Sequence, residues 1–301
     1  MTLTKSTFAT GQEVRQAARA STHTGPTAGL APGYIQANLI VLPSKYAADF
    51  RSLCQRNPVP CPLLAESTKP GLWNAMKSCI PNITSTTLIH PGNDLDLRRD
   101  IPRYLVYRDG KIDESARHPD LRATWRDDDH VAFLIGCSFS FEAALCDAGL
   151  APGHIVGGRN VPMYRTTLPL NPAGVFTGGT YVVSMRLYQE DDVERVRAIT
   201  SPYAFTHGEP IAWGWESVVT LGIADIMKPE WGDRPLGLDG KELGPQDGGA
   251  GASRDVVPLF WGCGVTPQEA VVRARLQGTV MAHAPGHMLV LDCLDEVLKV
   301  G

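Results

Sequence analysis

Short apolar runs alternate along the chain with segments in which apolar residues have helical spacing. The predicted strands are 34–42, 104–107, 131–135, 181–185 and 256–261. The predicted helices are 12–20, 44–56, 142–150 and 190–200, with a further helix that begins near residue 266. Strands that alternate with helices along the whole chain predict an α/β fold.

One unit of this pattern occurs twice. A buried strand leads into a helix through Gly136-Cys137-Ser138 and again through Gly262-Cys263-Gly264. Each copy is followed by Ala-Pro-Gly-His, at 151–154 and at 284–287. Two copies in the same order predict an internal duplication of a strand–GlyCys–helix unit. The alternative interpretation is that Ala-Pro-Gly is only a common turn.

The length of 301 residues predicts two domains that share an interface, or one large α/β unit. Residues 1–32 are predicted to form an N-terminal helix and a linker, and 33–301 an α/β catalytic region. The proline-rich stretch 57–81 predicts a surface excursion, and the glycine-rich tract 236–252 predicts a mobile loop.

Composition and charge exclude several classes of partner. The net charge is −4 and the isoelectric point is near 6.1, so nucleic acid and anionic membranes are not expected as partners. No apolar stretch approaches the ~20 residues that span a bilayer. Seven cysteines without a Cys-x-x-Cys spacing favour neither a disulfide framework nor a zinc site, and we expect a cytoplasmic protein. Its partner would be a small-molecule substrate, and a homo-oligomer is left open.

The two Gly-Cys segments carry the first candidate chemistry. Amides in the first turn of each following helix suit a carboxylate or a developing oxyanion. The helix dipole would stabilise a thiolate at Cys137 or Cys263, which makes both candidate nucleophiles, although buried packing is the alternative. Ser138 and Ser140 either cap the helix or contact a ligand.

Histidines and arginines supply the remaining candidates. His154, His207 and His287 follow or precede glycine and are predicted on loops. No His-x-His pair occurs, and a metal site would need ligands gathered from distant segments, so neither a metal nor an organic cofactor is predicted. Arg165 or Arg186 would hold a substrate carboxylate through its planar guanidinium.

Several motifs in succession identify a family resemblance. They are 136–142 (GCSFSFE), 161–166 (VPMYRT), 182–186 (VVSMR), 258–268 (PLFWGCGVTPQ) and 284–288 (APGHM). In this order they resemble the signatures of the D-glutamate cyclase and "putative hydro-lyase" family, from about Gly33 to the end of the chain. The resemblance implies an α/β fold of two interleaved domains and an activity that removes water from a small amino-acid-like substrate.

In the family's named reaction, D-glutamate closes to 5-oxo-D-proline. That chemistry needs proton transfer and a stabilised oxyanion. On this resemblance, Glu142, His207 and His287 are candidates for proton transfer. The Gly-Cys amides with Ser138 are candidates for oxyanion binding. A non-catalytic binding protein and a cysteine-dependent hydrolase or transferase are the alternatives.

One segment departs from the family pattern. After His207-Gly208, members typically have a second histidine and an aspartate, which fall here on Ala212 and Trp215. Trp213, Trp215 and Glu216 are therefore predicted to bind a substrate other than D-glutamate, with an aromatic or cationic portion. The alternative is that both tryptophans only pack against the protein.

Overall fold

A computed structural model describes residues 8–113, 118–238, 240–243 and 255–300. Its strands are β1 (Tyr34–Pro43), β2 (Leu63–Ser67), β3 (Met76–Ser78), β4 (Tyr104–Arg108), β5 (Lys111–Ile112), β6 (His130–Gly136), β7 (Met163–Pro169), β8 (Thr180–Gln189), β9 (Ala212–Trp213), β10 (Val256–Gly262), β11 (Thr279–His283) and β12 (Leu289–Leu294). Its helices are α1 (Gly11–Arg19), α2 (Ala47–Arg56), α3 (Ser85–Leu88), α4 (Glu142–Asp147), α5 (Gly153–Val156), α6 (Val193–Thr200), α7 (Glu216–Thr220) and α8 (Thr266–Ala274).

The strands form a large sheet and a small sheet. The large sheet has the order β3-β2-β6-β1-β11-β4-β5, and β12 also pairs with β1. The small sheet has the order β7-β8-β10-β9, and its strands come between β6 and β11 in the chain. The mixture of helices and sheets confirms the predicted α/β class, although the pairs between named strands are antiparallel.

An internal duplication is not shown. The two Gly-Cys strands, β6 and β10, lie in different sheets. The first Ala-Pro-Gly-His leads into α5, whereas the second forms a turn before β12. The same four residues thus adopt different structures at the two positions. The predicted division into two interleaved domains stays a prediction.

Both faces of the large sheet are covered, which explains the unbroken apolar runs of its central strands. Leu39 and Leu134 belong to the core cluster on one face. Ile40 and Phe133, their chain neighbours, belong to the cluster on the other face, because side chains alternate along a strand. The prediction of a surface excursion at 57–81 is wrong: β2 and β3 form there, and Cys61 and Leu64 are fully buried.

Helix α8 connects the two sheets. The hydroxyl of Thr266 accepts a hydrogen bond from the Val182 amide of the small sheet at 2.9 Å. One turn further, Ala270 packs in the core cluster of the large sheet. Gln268 contacts the ring of His283 on β11 at 2.9 Å. The helix therefore fixes the small sheet against the large one.

The two sheets also meet at Asn38. Its Nδ2 donates hydrogen bonds to the carbonyl oxygens of Ile135 and Gly136, at 3.2 and 2.9 Å. On the other side, Gly264 lies against the same amide group, and a Cβ at Gly264 would lie 1.8 Å from Asn38 Nδ2. The second Gly-Cys motif thus ends in glycine because any other residue would collide with the Asn38 side chain, which its own hydrogen bonds hold in place.

The N-terminal helix is fixed to the same body by buried charges. Arg15 of α1 donates to the Val290 carbonyl at 2.7 Å and to Asp292 at 2.9 Å. Arg19 pairs with Asp100, which is fully buried.

The tract 236–252, for which the sequence predicts a mobile loop, lies largely outside the described residues. No helix in the described parts is long and apolar enough to cross a membrane.

We expect Gly264→Ala to lower the free energy of unfolding by roughly 2–4 kcal/mol, because the new methyl group must displace the Asn38 amide from its carbonyl partners. Urea unfolding measures the change. Gly25→Ala is the matched control, since a Cβ at Gly25 meets its nearest atom at 3.5 Å, an ordinary contact. Equal stability of the two variants would contradict the close approach.

A second expectation concerns pH. Burial lowers the pKa of His283 to about 4, against about 6.5 in an unfolded chain. Between these values the unfolded chain binds a proton that the folded chain does not. The contribution of His283 is therefore complete above about pH 6.5 and is lost as the pH falls towards 4, up to roughly 3 kcal/mol.

Urea unfolding between pH 4.5 and 7.5 tests this dependence. The slope of stability against pH should be shallower in His283→Gln than in the unmodified protein. An unchanged slope would show that His283 does not titrate with folding.

Candidate functional site

A buried ion pair lies between the small sheet and α4. Ser184 and Arg186 are two positions apart on β8, so their side chains point to the same face. Arg186 Nη2 donates to Glu142 Oε1 at 2.5 Å, and Nε donates to the same oxygen at 3.1 Å. Its other bonds go to the hydroxyls of Ser138, at 3.0 Å, and Ser184, at 3.1 Å. Ser138 and Glu142, both in the first Gly-Cys motif, thus bind an arginine of the small sheet.

The surroundings of this pair are apolar. The guanidinium carbon of Arg186 lies 5.3 Å from the ring centre of Phe141 and 5.1 Å from that of Trp261. Aromatic faces attract a cation, so the rings support the charge as well as excluding water. A buried pair of this kind is strongly destabilised when one partner is removed, because the other charge is left without compensation.

Glu142 is ionised in this setting. Burial raises the pKa of its carboxyl group, but the charges of His154 and Arg186 and their contacts outweigh burial and hold the pKa below its ordinary value. Glu142 therefore remains a carboxylate at neutral pH. It is suited to stabilise positive charge rather than to donate a proton.

His154 completes the cluster. It is buried on α5, whereas the sequence predicted it on a loop. Its Nε2 lies 2.8 Å from Glu142 Oε1, but the N–H is not aligned with that oxygen as in a regular hydrogen bond. Its ring stacks on Phe139 with the centres 6.2 Å apart. An imidazole beside a carboxylate is a common arrangement for proton transfer.

Most hydrogen-bonding groups of Arg186 are already used. A guanidinium has five N–H donors, and the contacts with Glu142, Ser138 and Ser184 engage four of them. One N–H on Nη1 remains for a ligand. Glu142 Oε2 is buried and has no partner among the described residues, so it is a free acceptor. The cluster therefore offers a ligand one donor and one charged acceptor.

The structure brings Cys137 and Cys263 into one buried apolar cluster, together with Phe139 and Met163. The two Gly-Cys segments thus pack against each other. Burial raises the pKa of Cys263 to about 11 and that of Cys137 further. Both thiols are protonated at neutral pH, which favours the packing interpretation over a nucleophilic one.

His207 lies between the ends of the two Gly-Cys strands. It is buried with φ +89°, a left-handed conformation that is strained for histidine. A Cβ at Gly136 would lie 2.0 Å from the Phe205 carbonyl oxygen, and one at Gly262 would lie 3.3 Å from His207 Nδ1. The glycine of each motif therefore leaves space for the segment that carries His207.

The protonation of His207 follows from its contacts. Nδ1 is 2.8 Å from the Val59 carbonyl oxygen, which only accepts hydrogen bonds, so the proton of the neutral ring is on Nδ1. Burial lowers the pKa of His207 to about 4. The histidine is neutral at physiological pH and helps to hold the two sheets together.

Three other candidates do not contact the Glu142–Arg186 pair. Ser140 Oγ accepts from the Gln36 amide at 3.0 Å. His287 Nδ1 lies 3.0 Å from the Pro285 carbonyl oxygen within its own turn. Arg165 lies on the same face of the small sheet as Arg186, roughly 13 Å along the strand direction, and donates to both carboxylate oxygens of Glu269 at 2.9 and 3.2 Å.

The segment that departs from the family pattern lies at the edge of the small sheet. Ala212 pairs with Phe260, on the face opposite to Arg186. Trp213 is 40% exposed, and the guanidinium of Arg197 lies 4.4 Å from its ring centre. Trp215 donates from Nε1 to the Val256 carbonyl at 2.9 Å. Glu216, exposed, begins α7. These contacts favour the packing interpretation of both tryptophans.

The sequence analysis did not single out Ser184 or Trp261, and it named His154 only as a loop histidine without a role. Ser184 precedes Arg186 by two positions in a predicted strand, a spacing that places both on one face. Trp261 stands directly before the second Gly-Cys motif. His154 had no comparable signal, since only the fold of α5 brings it to Glu142. Among the described residues, no group of three or more His, Cys, Asp or Glu side chains could hold a metal ion.

Comparisons with known proteins agree with the motifs. A family model described as D-glutamate cyclase matches residues 131–292. A Bordetella petrii protein named "Putative hydro-lyase" is 46% identical over 97% of this chain and 97% of its own length. A Schizosaccharomyces pombe protein with the same kind of name is 44% identical over 93% of this chain and 83% of its own length.

One solved structure, of a nitrogen repressor-like protein from Methanococcus jannaschii, aligns over 93% of this chain and 94% of its own length. The TM-score of 0.33 and the identity of 10% are too low to support a conclusion about fold or function. The names of the relatives support a hydro-lyase or cyclase type of function and leave the substrate open. The family predicted from the motifs is confirmed: the chain belongs to the D-glutamate cyclase family.

Proposed function

We propose that this protein is an enzyme that removes water from a small amino-acid-like substrate at the Glu142–Arg186–His154 cluster. The observation that carries the proposal is the buried Glu142 carboxylate, which contacts both His154 at 2.8 Å and Arg186 at 2.5 Å. A carboxylate that holds an imidazole stabilises the imidazolium formed when the ring accepts a proton. The cluster thus has the parts of a proton-transfer site.

In a cyclisation of the family's type, an amine attacks a side-chain carboxyl group. The substrate ammonium group loses one proton to become that amine and a second proton after the attack on the carboxylate, and both protons end on the departing carboxyl oxygen, which leaves as water. In an elimination, one proton and a hydroxide leave. In both reactions a proton taken from the substrate returns to the departing oxygen, so a group that accepts and then donates is required.

We assign that role to His154. Glu142 stabilises its positive charge, and Arg186 with Ser138 holds Glu142 in place. Nη1 of Arg186 keeps one N–H that is free to stabilise negative charge on the reacting oxygen. The two cysteines are assigned no chemical role, since burial keeps them protonated.

The first test compares four variants. His154→Asn should lower kcat by about 10²–10⁴-fold, the usual contribution of a proton-transfer group. Glu142→Gln should also lower kcat, because it removes the charge that stabilises the imidazolium, whereas Cys137→Ala and Cys263→Ala should retain turnover. The assay follows loss of the mass of one water from D-glutamate and a panel of amino-acid derivatives. Circular dichroism shows whether each variant folds. Full activity of His154→Asn, or loss of activity in a folded cysteine variant, would refute the assignment.

A further expectation concerns the choice of substrate. Arg197 covers the ring of Trp213, and Ala212 lies on the far face of the sheet, so neither residue is placed at the buried cluster. We expect Trp213→Ala to leave the ranking of substrates unchanged, with D-glutamate included in the panel. Arg197→Ala serves as the matched control. A changed preference for cationic or aromatic substrates in Trp213→Ala, but not in Arg197→Ala, would show that the Trp213 ring contacts the substrate.

A further inference from the structure

Besides His154 Nε2, which lies 2.8 Å from Glu142 Oε1, three buried polar atoms around Arg186 have no protein partner among the described residues. They are Glu142 Oε2, Trp261 Nε1 and the Tyr188 hydroxyl. Each belongs to a side chain that is at least 95% buried. Buried polar groups in folded proteins are nearly always hydrogen-bonded to protein or to ordered water. Three such atoms near one charged side chain therefore indicate that a small polar molecule binds there.

The side chains that carry these atoms are neighbours. Glu142 and Trp261 both contact the guanidinium of Arg186. The rings of Tyr188 and Trp261 have their centres 6.5 Å apart in an edge-to-face arrangement. Tyr188 lies two positions after Arg186 on β8, and therefore on the same face. Tyr188 and Trp261 belong to the core cluster that α4 and α6 cover, and Glu142 begins α4.

The chemistry of the three atoms is complementary to a water molecule. A carboxylate oxygen only accepts hydrogen bonds, an indole N–H only donates, and a phenol does both. A water molecule donates two hydrogen bonds and accepts two, and buried waters typically make about three. An anion would be repelled by Glu142, and a cation would face the guanidinium of Arg186.

We propose that Glu142, Trp261 and Tyr188 form a water-binding subsite beside Arg186. This inference rests on the proposed function for its role: the subsite receives the water that the dehydration releases. Tyr188 and Trp261 are then positioning residues, because they hold the water and do not contact the substrate. The existence of the subsite is independent of whether the protein dehydrates anything.

Tyr188→Phe tests the subsite through the sign of its effect on stability. If the hydroxyl bonds to a held water, its removal lowers the melting temperature by a few degrees. If the hydroxyl is buried without a partner, its removal raises the melting temperature or leaves it unchanged, because a desolvated polar group is lost. Tyr164→Phe is the matched control, since Tyr164 is fully buried and donates to the Ile226 carbonyl at 2.6 Å.

The expected result is that both variants melt below the unmodified protein, and that a crystal structure shows one ordered water within hydrogen-bonding distance of all three atoms. A melting temperature of Tyr188→Phe equal to or above that of the unmodified protein, or a crystal structure without that water, would overturn the subsite. In the dehydration assay, Tyr188→Phe should lower kcat with KM unchanged. An unchanged kcat together with the observed water would overturn only its role in the reaction, and inactivity of the unmodified protein would count against the proposed function alone.

Discussion

The contact on which the candidate site depends is the buried ion pair between Arg186 and Glu142. A guanidinium and a carboxylate lose their hydration when they enter an apolar core, and their attraction offsets that loss only when the geometry is good and the other hydrogen-bonding groups are used. Here Ser138 and Ser184 complete the hydrogen bonds of the arginine, and Phe141 and Trp261 flank its charge. The pair therefore fixes the first Gly-Cys segment against the small sheet.

The close packing of the two sheets around this ion pair also determines where two histidines lie. His154 lies at the carboxylate because α5 packs against β8, the strand that carries Arg186. His207 lies between Gly136 and Gly262 because only glycine leaves space for its segment. The motifs that look like catalytic loops in the sequence thus have a second role. Their glycines let two sheets approach, and their polar residues satisfy one buried charge.

The relation between the two cysteines shows how packing changes the chemical interpretation of a motif. In sequence, each cysteine stands at a helix N-terminus, where a thiolate would be stabilised. In the structure, both thiols are buried in one apolar cluster, and the loss of hydration outweighs the hydrogen bonds from backbone N–H groups that would favour a thiolate. Arg165 is a similar case, since its guanidinium is already bound by Glu269 on α8. At these positions, residue types that are common in catalytic sites therefore serve packing and ion pairing.

The sequence by itself determined the features that depend on neighbours in the chain. These are the α/β class, the strands at β1, β6, β8 and β10, and the family motifs, because alternation, apolar runs and turn residues are local properties. It also identified Glu142, Ser138 and Arg186 as candidates. Only the tertiary structure decided that these three belong together with His154 and Ser184, and that Ala212 lies on the opposite face of the sheet. Such decisions depend on contacts between residues far apart in the chain, and on the free energy of burying charge, which no local pattern encodes.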